Sequence, residues 1–165
     1  MLDKAVVMML LENTGITLYM TLVSTIAAYV LGLPMGIALV ITAEDGLRPN
    51  KLIYKLIDII VNVVRSVPFL ILLILVIPLT RAIVGKAYGP TATIVPLVLA
   101  AAPFIARMVE SSLLEVDNGV IEAAQSMGAS LWTIIVKVML GEARTSLVVG
   151  ATIVLGTVLG YSAMA

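Results

Sequence analysis

The longest stretch of the chain without a charged residue runs from Asn13 to Ala43, 31 residues that include no Asp, Glu, Lys or Arg. About 20 apolar residues are enough for a helix to cross the hydrocarbon core of a bilayer. The stretch is also far longer than the roughly 7–15 apolar residues of a secretory signal, and Asp3 and Glu12 precede it. It therefore predicts a transmembrane helix.

The composition extends this conclusion to the whole chain. Of 165 residues, 61% are hydrophobic, 10 are Lys or Arg and 10 are Asp or Glu, and the mean hydropathy is +1.17. Soluble domains carry about 25% charged residues, so this chain has too few to cover a water-facing surface. The net charge of zero, with no basic cluster, argues against nucleic acid as a partner. Without Cys or His, most catalytic and metal-binding arrangements are excluded as well.

We expect an all-α, polytopic membrane bundle with four spans, at about residues 16–43, 51–80, 87–106 and 145–165. The second is predicted as a single tilted helix. The polar segment at about 107–144 belongs in water or against a partner. The loops on the side of the membrane that carries this polar segment contain six Lys and Arg residues, and those on the other side contain three. Because the more basic side usually faces the cytoplasm, the polar segment is predicted to be cytoplasmic and the N-terminus to lie outside. Because no polar tail follows the last span, we interpret the chain as a fragment of a longer protein.

Five polar residues form one stripe along the second predicted span. Their spacing places them on one helix face: Lys51, Lys55, Asp58, Asn62 and Arg65. One interpretation is a pathway lining, since ionisable groups within a span usually face a cavity. The other is an interfacial position, where the lysines extend to water and Asp58 pairs with Lys55. Asn62 and Arg65 would lie deeper in the membrane, which favours the pathway interpretation for them. The two lysines would lie nearer the surface, which favours the interfacial interpretation.

Prolines interrupt every span except the last. They are Pro34, Pro68, Pro78, Pro96 and Pro103. Each removes a backbone hydrogen bond, and together they predict a bundle that changes conformation. The pairs Gly32–Gly36 and Gly156–Gly160 have a spacing that allows close helix packing, within the chain or against a second copy.

Two short helices are predicted within the polar segment. Asp117 or Asn118 can cap a first helix that continues to Met127, and Gly128 suits the left-handed position that ends it. Ser130 can then cap a second helix. Ala123 and Ala124 would leave the first helix with a smooth surface that fits a cleft in a partner.

The same segment resembles the EAA loop of permease subunits of bacterial ATP-binding-cassette (ABC) importers. Glu122, Ala123, Ala124 and, after three further residues, Gly128 match the family pattern. Gly141 stands where that pattern has proline, and we expect the glycine to break the helix there instead. A more specific resemblance, to permeases of methionine importers, rests on residues 65–69, 122–130 and 160–165.

This resemblance implies a mechanism and a set of partners. Two permease copies would form the pathway in the inner membrane, two ATP-binding subunits would dock below, and an external binding protein would deliver an amino acid, most specifically methionine. The family has a fifth span, which this chain lacks. The chain has no G-x-x-x-x-G-K-[ST] sequence, so it would need no cofactor of its own and ATP would be bound by the partner.

Candidate site residues follow from the resemblance and from position. The residues expected to couple the chain to the ATPase are Glu122, Ala123, Ala124 and Gly128. The candidate pathway or gate residues are Asn62, Arg65, Ser66, Pro68, Tyr161, Ser162 and Met164. The alternative is a secondary transporter or channel without an ATPase, and for that class intramembrane charge is scarce.

Overall fold

The computed structural model describes residues 3–165, which form helices and turns and contain no strand. The α-helices are α1 Lys4–Thr42, α2 Lys51–Ser66, α3 Phe69–Leu75, α4 Ile77–Val84, α5 Pro90–Leu114, α6 Asn118–Ser126, α7 Leu131–Thr133, α8 Leu140–Glu142 and α9 Arg144–Ser162. A π-helical segment, Ile134–Met139, joins α7 to α8. Three helices, α1, α5 and α9, are each long and apolar enough to cross a membrane.

The core lies where α1 packs along α5, with α9 against both. A Cβ atom on Gly32 would lie 2.6 Å from the carbonyl oxygen of Ala102, and one on Gly36 would lie 2.6 Å from that of Ala106. Both contacts advance by four residues along each helix, so α1 and α5 run parallel. The first glycine pair therefore packs within the chain, as its spacing predicted.

The second predicted span is not a single helix. Helix α2 begins at Asn50, whose side-chain oxygen accepts hydrogen bonds from Leu52 N and Ile53 N at 3.1 Å. It ends at Ser66, and α3 leaves at an angle of 106°. The prediction of a continuous helix over 51–80 is wrong because Val67, which precedes Pro68, is held in an extended conformation, φ −85° and ψ 123°. Helix α2 with α3 is together long and apolar enough for one broken crossing.

Helix α5 is longer than the span predicted at 87–106. It continues to Leu114, so Arg107 and Glu110 lie on the helix and the predicted polar segment 107–144 begins within it. The two side chains form an ion pair, Arg107 Nη1 to Glu110 Oε2 at 2.6 Å. Pairing lowers the cost of keeping charges on a partly buried helix, which is why the charges do not end α5. The first helix, α1, likewise begins well before the predicted boundary at about residue 16.

Glycine 141 does not break the helix. It lies within α8, and the local change of geometry comes two residues later at Ala143, with φ −74° and ψ 0°. Without a proline the backbone has no missing donor at residue 141, so helical structure continues from α7 to α9 with only a turn at Ala143. The expected glycine break is therefore wrong.

Candidate functional site

The turn that ends α6 has the geometry predicted from the sequence. Asp117 caps the helix by accepting a hydrogen bond from Gly119 N at 2.7 Å. At the other end, Gly128 N donates to Gln125 O at 2.9 Å and Ala129 N donates to Ala124 O at 3.0 Å, the paired bonds of a Schellman motif. Gly128 has φ +75°, the left-handed region. Ser130 then caps α7 through Thr133 N at 3.3 Å, so α6 and α7 are held at a fixed turn.

Gly128 is required by backbone conformation, and Gly141 is not. We expect Gly128→Ala to destabilise the turn by about 1 kcal/mol, because an L-residue is disfavoured at φ +75°. Gly141 lies in a helical turn, and a Cβ on either glycine meets no atom within 4 Å. Gly141→Ala should therefore be neutral or slightly stabilising. Thermal unfolding of the two variants in detergent, with limited proteolysis at the turn, measures the difference; equal midpoints would contradict the assignment.

The two alanines of α6 do not share one exposed surface. Ala123 and Glu122 are exposed, whereas Ala124 is buried at 5% exposure within the chain's own core. The expectation that Ala124 belongs to an outward-facing surface is corrected, because consecutive positions on a helix point about 100° apart and α6 lies against the π-helical segment. Glu122 and Ala123 are among the exposed residues of α6, next to the exposed turn at Gly128.

Two large apolar side chains beside this turn stand out by their exposure. Met127 is 81% exposed and Trp132 is 74% exposed. From the sequence they were recognised only as the boundaries of the two short helices. The signal that could have found them is the chain's single tryptophan, which lies within four residues of the predicted turn at Gly128. Exposed Met and Trp are typical of surfaces that contact a partner. We name this exposed set the coupling surface, after the role that the family resemblance leads us to expect for three of its members. It comprises Glu122, Ala123, Met127, Gly128 and Trp132.

A second group of predicted residues meets where α2 bends into α3. A recess of about 210 Å³ lies there, and Arg65, Phe69 and Tyr161 contribute to its walls. The rings of Phe69 and Tyr161 stack with centroids 4.5 Å apart and planes 5° apart. The fold thus places Arg65 and Tyr161, which are far apart in sequence, at one recess.

The other candidate pathway residues are placed separately. Ser66 is exposed and its hydroxyl donates to Val63 O at 2.7 Å, and Pro68 is exposed at the bend. Ser162 is buried and donates to Leu159 O at 2.8 Å, whereas Met164 is 58% exposed. Asn62 lies outside the recess, in contact with Arg107 and Asp58. The interpretation in which Asp58 pairs with Lys55 is wrong, since its ionic partner is Arg107.

Within residues 3–165, no group of three or more His, Cys, Asp or Glu side chains is placed to hold a metal ion. The polar groups described above are instead ion pairs, helix caps and exposed surface residues.

The chain is similar to known transport proteins over almost its whole length. It is 48% identical to the D-methionine transport system permease protein MetI of Yersinia pestis and 47% identical to that of Escherichia coli K12. Each comparison covers 163 residues, 99% of this chain and 75% of the relative.

Solved structures agree with this similarity. The chain matches an inward-facing MetNI methionine ABC transporter with a TM-score of 0.96 and 47% identity, over 99% of this chain and 76% of that one. An amino acid ABC transporter at 23% identity shares the fold, with a TM-score of 0.63. The family described as binding-protein-dependent transport system inner membrane component matches residues 28–165. The chain belongs to this family of inner membrane transport components.

Proposed function

We propose that this chain is the membrane-spanning permease subunit of an ATP-driven importer for methionine. The observation that carries the proposal is the identity of 47–48% to D-methionine permeases over 99% of the chain, together with the TM-score of 0.96 to a methionine ABC transporter. Membership of a binding-protein-dependent transport family, together with the match to an ABC transporter, disfavours the alternative of a secondary transporter or channel without an ATPase.

The coupling surface is the proposed contact with the ATP-binding subunit. Its turn is fixed by caps at both ends, so little conformational entropy is lost when it enters a cleft. Ala123 permits close approach, and Met127 and Trp132 offer exposed apolar area beside it. ATP would be bound and hydrolysed by the partner, and closure of the partner would move α6. Ala124 would contribute from within the chain, by holding α6 against its neighbours.

The proposed pathway runs past the bend between α2 and α3. The recess at Arg65, Phe69 and Tyr161 offers a guanidinium, which suits the carboxylate of an amino acid, and aromatic faces, which suit a thioether. Ser66 and Pro68 shape the bend, and Ser162 and Met164 follow Tyr161 at the end of α9, where a gate would lie. Asn62 lies on α2 outside the recess and would act through its contacts with Arg107 and Asp58.

The remaining partners and the orientation complete the proposal. A second permease copy would face the exposed side of α9, where a Cβ on Gly156 or Gly160 would meet no other helix of this chain within 4 Å. Lipid would surround the other apolar faces, and an extracytoplasmic binding protein would deliver the substrate. The distribution of Lys and Arg supports an outside N-terminus and a cytoplasmic coupling surface in the inner membrane.

Uptake of labelled D-methionine tests the proposal. The gene is expressed with its ATP-binding subunit and binding protein in a host whose own methionine importer has been deleted. We expect uptake that requires all three components and that stops when the ATPase is inactivated by substitution of its catalytic residue. Uptake that persists without the ATPase would contradict the proposal and favour the alternative, a channel or secondary transporter. A labelled amino acid with a charged side chain, which lacks the thioether, serves as the matched control.

A further inference from the structure

A cluster of four polar side chains joins α2 to α5 outside both regions described above. The Arg107 guanidinium donates to Glu110 Oε2 at 2.6 Å, to Asn62 Oδ1 at 3.1 Å and to Asp58 Oδ1. Asn62 Nδ2 in turn donates to Asp58 Oδ1 at 3.1 Å. The guanidinium therefore links three acceptors, two on α2 and one on its own helix.

This cluster attaches α2 to α5 where α2 has little buried apolar surface. Among the 16 residues of α2, all of which the structure describes, only Val61 is buried. The side chains of Arg107, Asp58 and Glu110 are 21%, 31% and 12% exposed, so their contacts are screened less than those of surface pairs. Within residues 3–165 the contact between Arg107 and Asp58 is also the one ion pair that joins two helices. The position of α2 thus depends on the contacts of Arg107 as well as on the packing of Val61.

The cluster lies between the coupling surface and the recess. On one side, Arg107 is seven residues before the end of α5, and only Glu115, Val116 and the cap Asp117 separate α5 from α6. On the other side, Asn62 lies about one turn before the end of α2 at Ser66. Just beyond the bend, Phe69 stacks on Tyr161. A displacement of α6 that moves the end of α5 would therefore reach α2, and then the recess, through Arg107.

We propose that Arg107 is a positioning residue that transmits movement of α6 to the recess by holding α2 on α5. Its contacts with Asp58 and Asn62 make α2 follow α5. Without them α2 separates from α5, and ATP hydrolysis no longer moves the recess. This inference rests on the proposed function. It assigns a role to Arg107, which in the sequence served only as one of the basic residues that indicate orientation.

The experiment compares Arg107→Gln with Arg107→Lys in the complex purified with its ATP-binding subunit. Three quantities are measured: the amount of ATPase that copurifies, the rate of ATP hydrolysis, and methionine uptake per ATP hydrolysed in proteoliposomes. We expect Arg107→Gln to keep the ATPase bound, because the coupling surface is unchanged, and to lower uptake per ATP about tenfold, equivalent to a barrier change of about 1.4 kcal/mol. Arg107→Lys should recover part of the loss, since an ammonium keeps the charge but not the planar arrangement of donors.

Two controls separate this role from a general effect on folding. Lys51→Gln removes the exposed pair with Glu44, whose side chains are 87% and 75% exposed, and should leave uptake per ATP unchanged. Asp58→Asn combined with Arg107→Gln should lose no more than Arg107→Gln alone, because both substitutions remove the same contact. The chain has no cysteine, so spin labels placed at the exposed positions Leu56 and Leu114 report the separation of α2 and α5 directly.

The outcomes are distinguishable. A label separation that changes with ATP in the unsubstituted complex and no longer does so in Arg107→Gln supports the proposal. Normal uptake per ATP in Arg107→Gln, or an unchanged response of its label separation to ATP, overturns it. Should Arg107→Gln fail to fold, wild-type uptake per ATP in Asp58→Asn would overturn the proposal as well. Failure of the unsubstituted chain to bind the ATPase at all would instead contradict the proposed function.

Discussion

We expect the replacement of Ala123 with tryptophan to uncouple ATP hydrolysis from uptake while the chain stays folded. Ala123 is exposed on α6, and a bulky side chain there would enter the proposed contact with the ATPase. Overpacking a close interface costs about 1–3 kcal/mol, so the affinity for the ATPase should fall between about 5-fold and 150-fold. Titration of the ATP-binding subunit onto the purified permease measures this affinity, and uptake assays measure the loss of transport.

Two variants serve as controls for Ala123→Trp. Met8→Trp adds the same side chain at a 66% exposed position near the start of α1, far along the chain from α6, and should bind the ATPase normally. Ala124→Trp places it inside the chain's own core, at 5% exposure, and should lower the thermal stability of the permease itself. Unchanged ATPase affinity in Ala123→Trp would show that α6 does not contact the ATP-binding subunit.

Replacing Gly36 with valine is expected to have the largest effect on folding. A Cβ at this position would lie 2.6 Å from Ala106 O and 2.7 Å from the Val109 Cβ atom, and the first of these belongs to the backbone and cannot move aside. Helices α1 and α5 would have to separate, at a cost of about 3 kcal/mol in the free energy of unfolding. Thermal unfolding in mild detergent, together with the yield of membrane-inserted protein, measures the loss.

Gly15→Val is the matched control for Gly36→Val. Both glycines lie in α1, but a Cβ on Gly15 meets no atom within 4 Å. It therefore carries the same change in helix propensity without the steric conflict. Equal stability of the two variants would contradict the close contact between α1 and α5, which holds the helix leading to α6.

Local features of the candidate site could be predicted from the sequence because they depend on residues within one turn. Asp117 and Ser130 accept hydrogen bonds from amides two and three residues ahead, and Gly128 takes a conformation that other residues disfavour. The family resemblance likewise rested on short contiguous motifs, at residues 65–69, 122–130 and 160–165. These predictions are confirmed as geometry, and the coupling role of the residues remains the proposal to be tested.

Predictions that needed a neighbouring helix were less successful. The stripe on α2 was recognised, but the partner of Asp58 is Arg107, 49 residues away, and not Lys55 on the same helix. The break at Val67 and Pro68 had a visible signal, because a residue before proline avoids the helical conformation. The prediction of a continuous helix gave more weight to length, because neither half of residues 51–80 is long enough to span the bilayer by itself.

The sequence by itself determined that this chain lies in a membrane, that it is helical, and where its capped turn and its family motif stand. Apolar length, turn residues and spacing are properties of contiguous residues, so they can be read without a fold. Only the tertiary structure decided that α3 leaves α2 at 106°, that Tyr161 stacks on Phe69, that Ala124 faces inward, and that Arg107 contacts Asp58 across α2 and α5. The physical reason is that these contacts join residues distant in sequence, and the packing of α1 on α5 determines which of them meet.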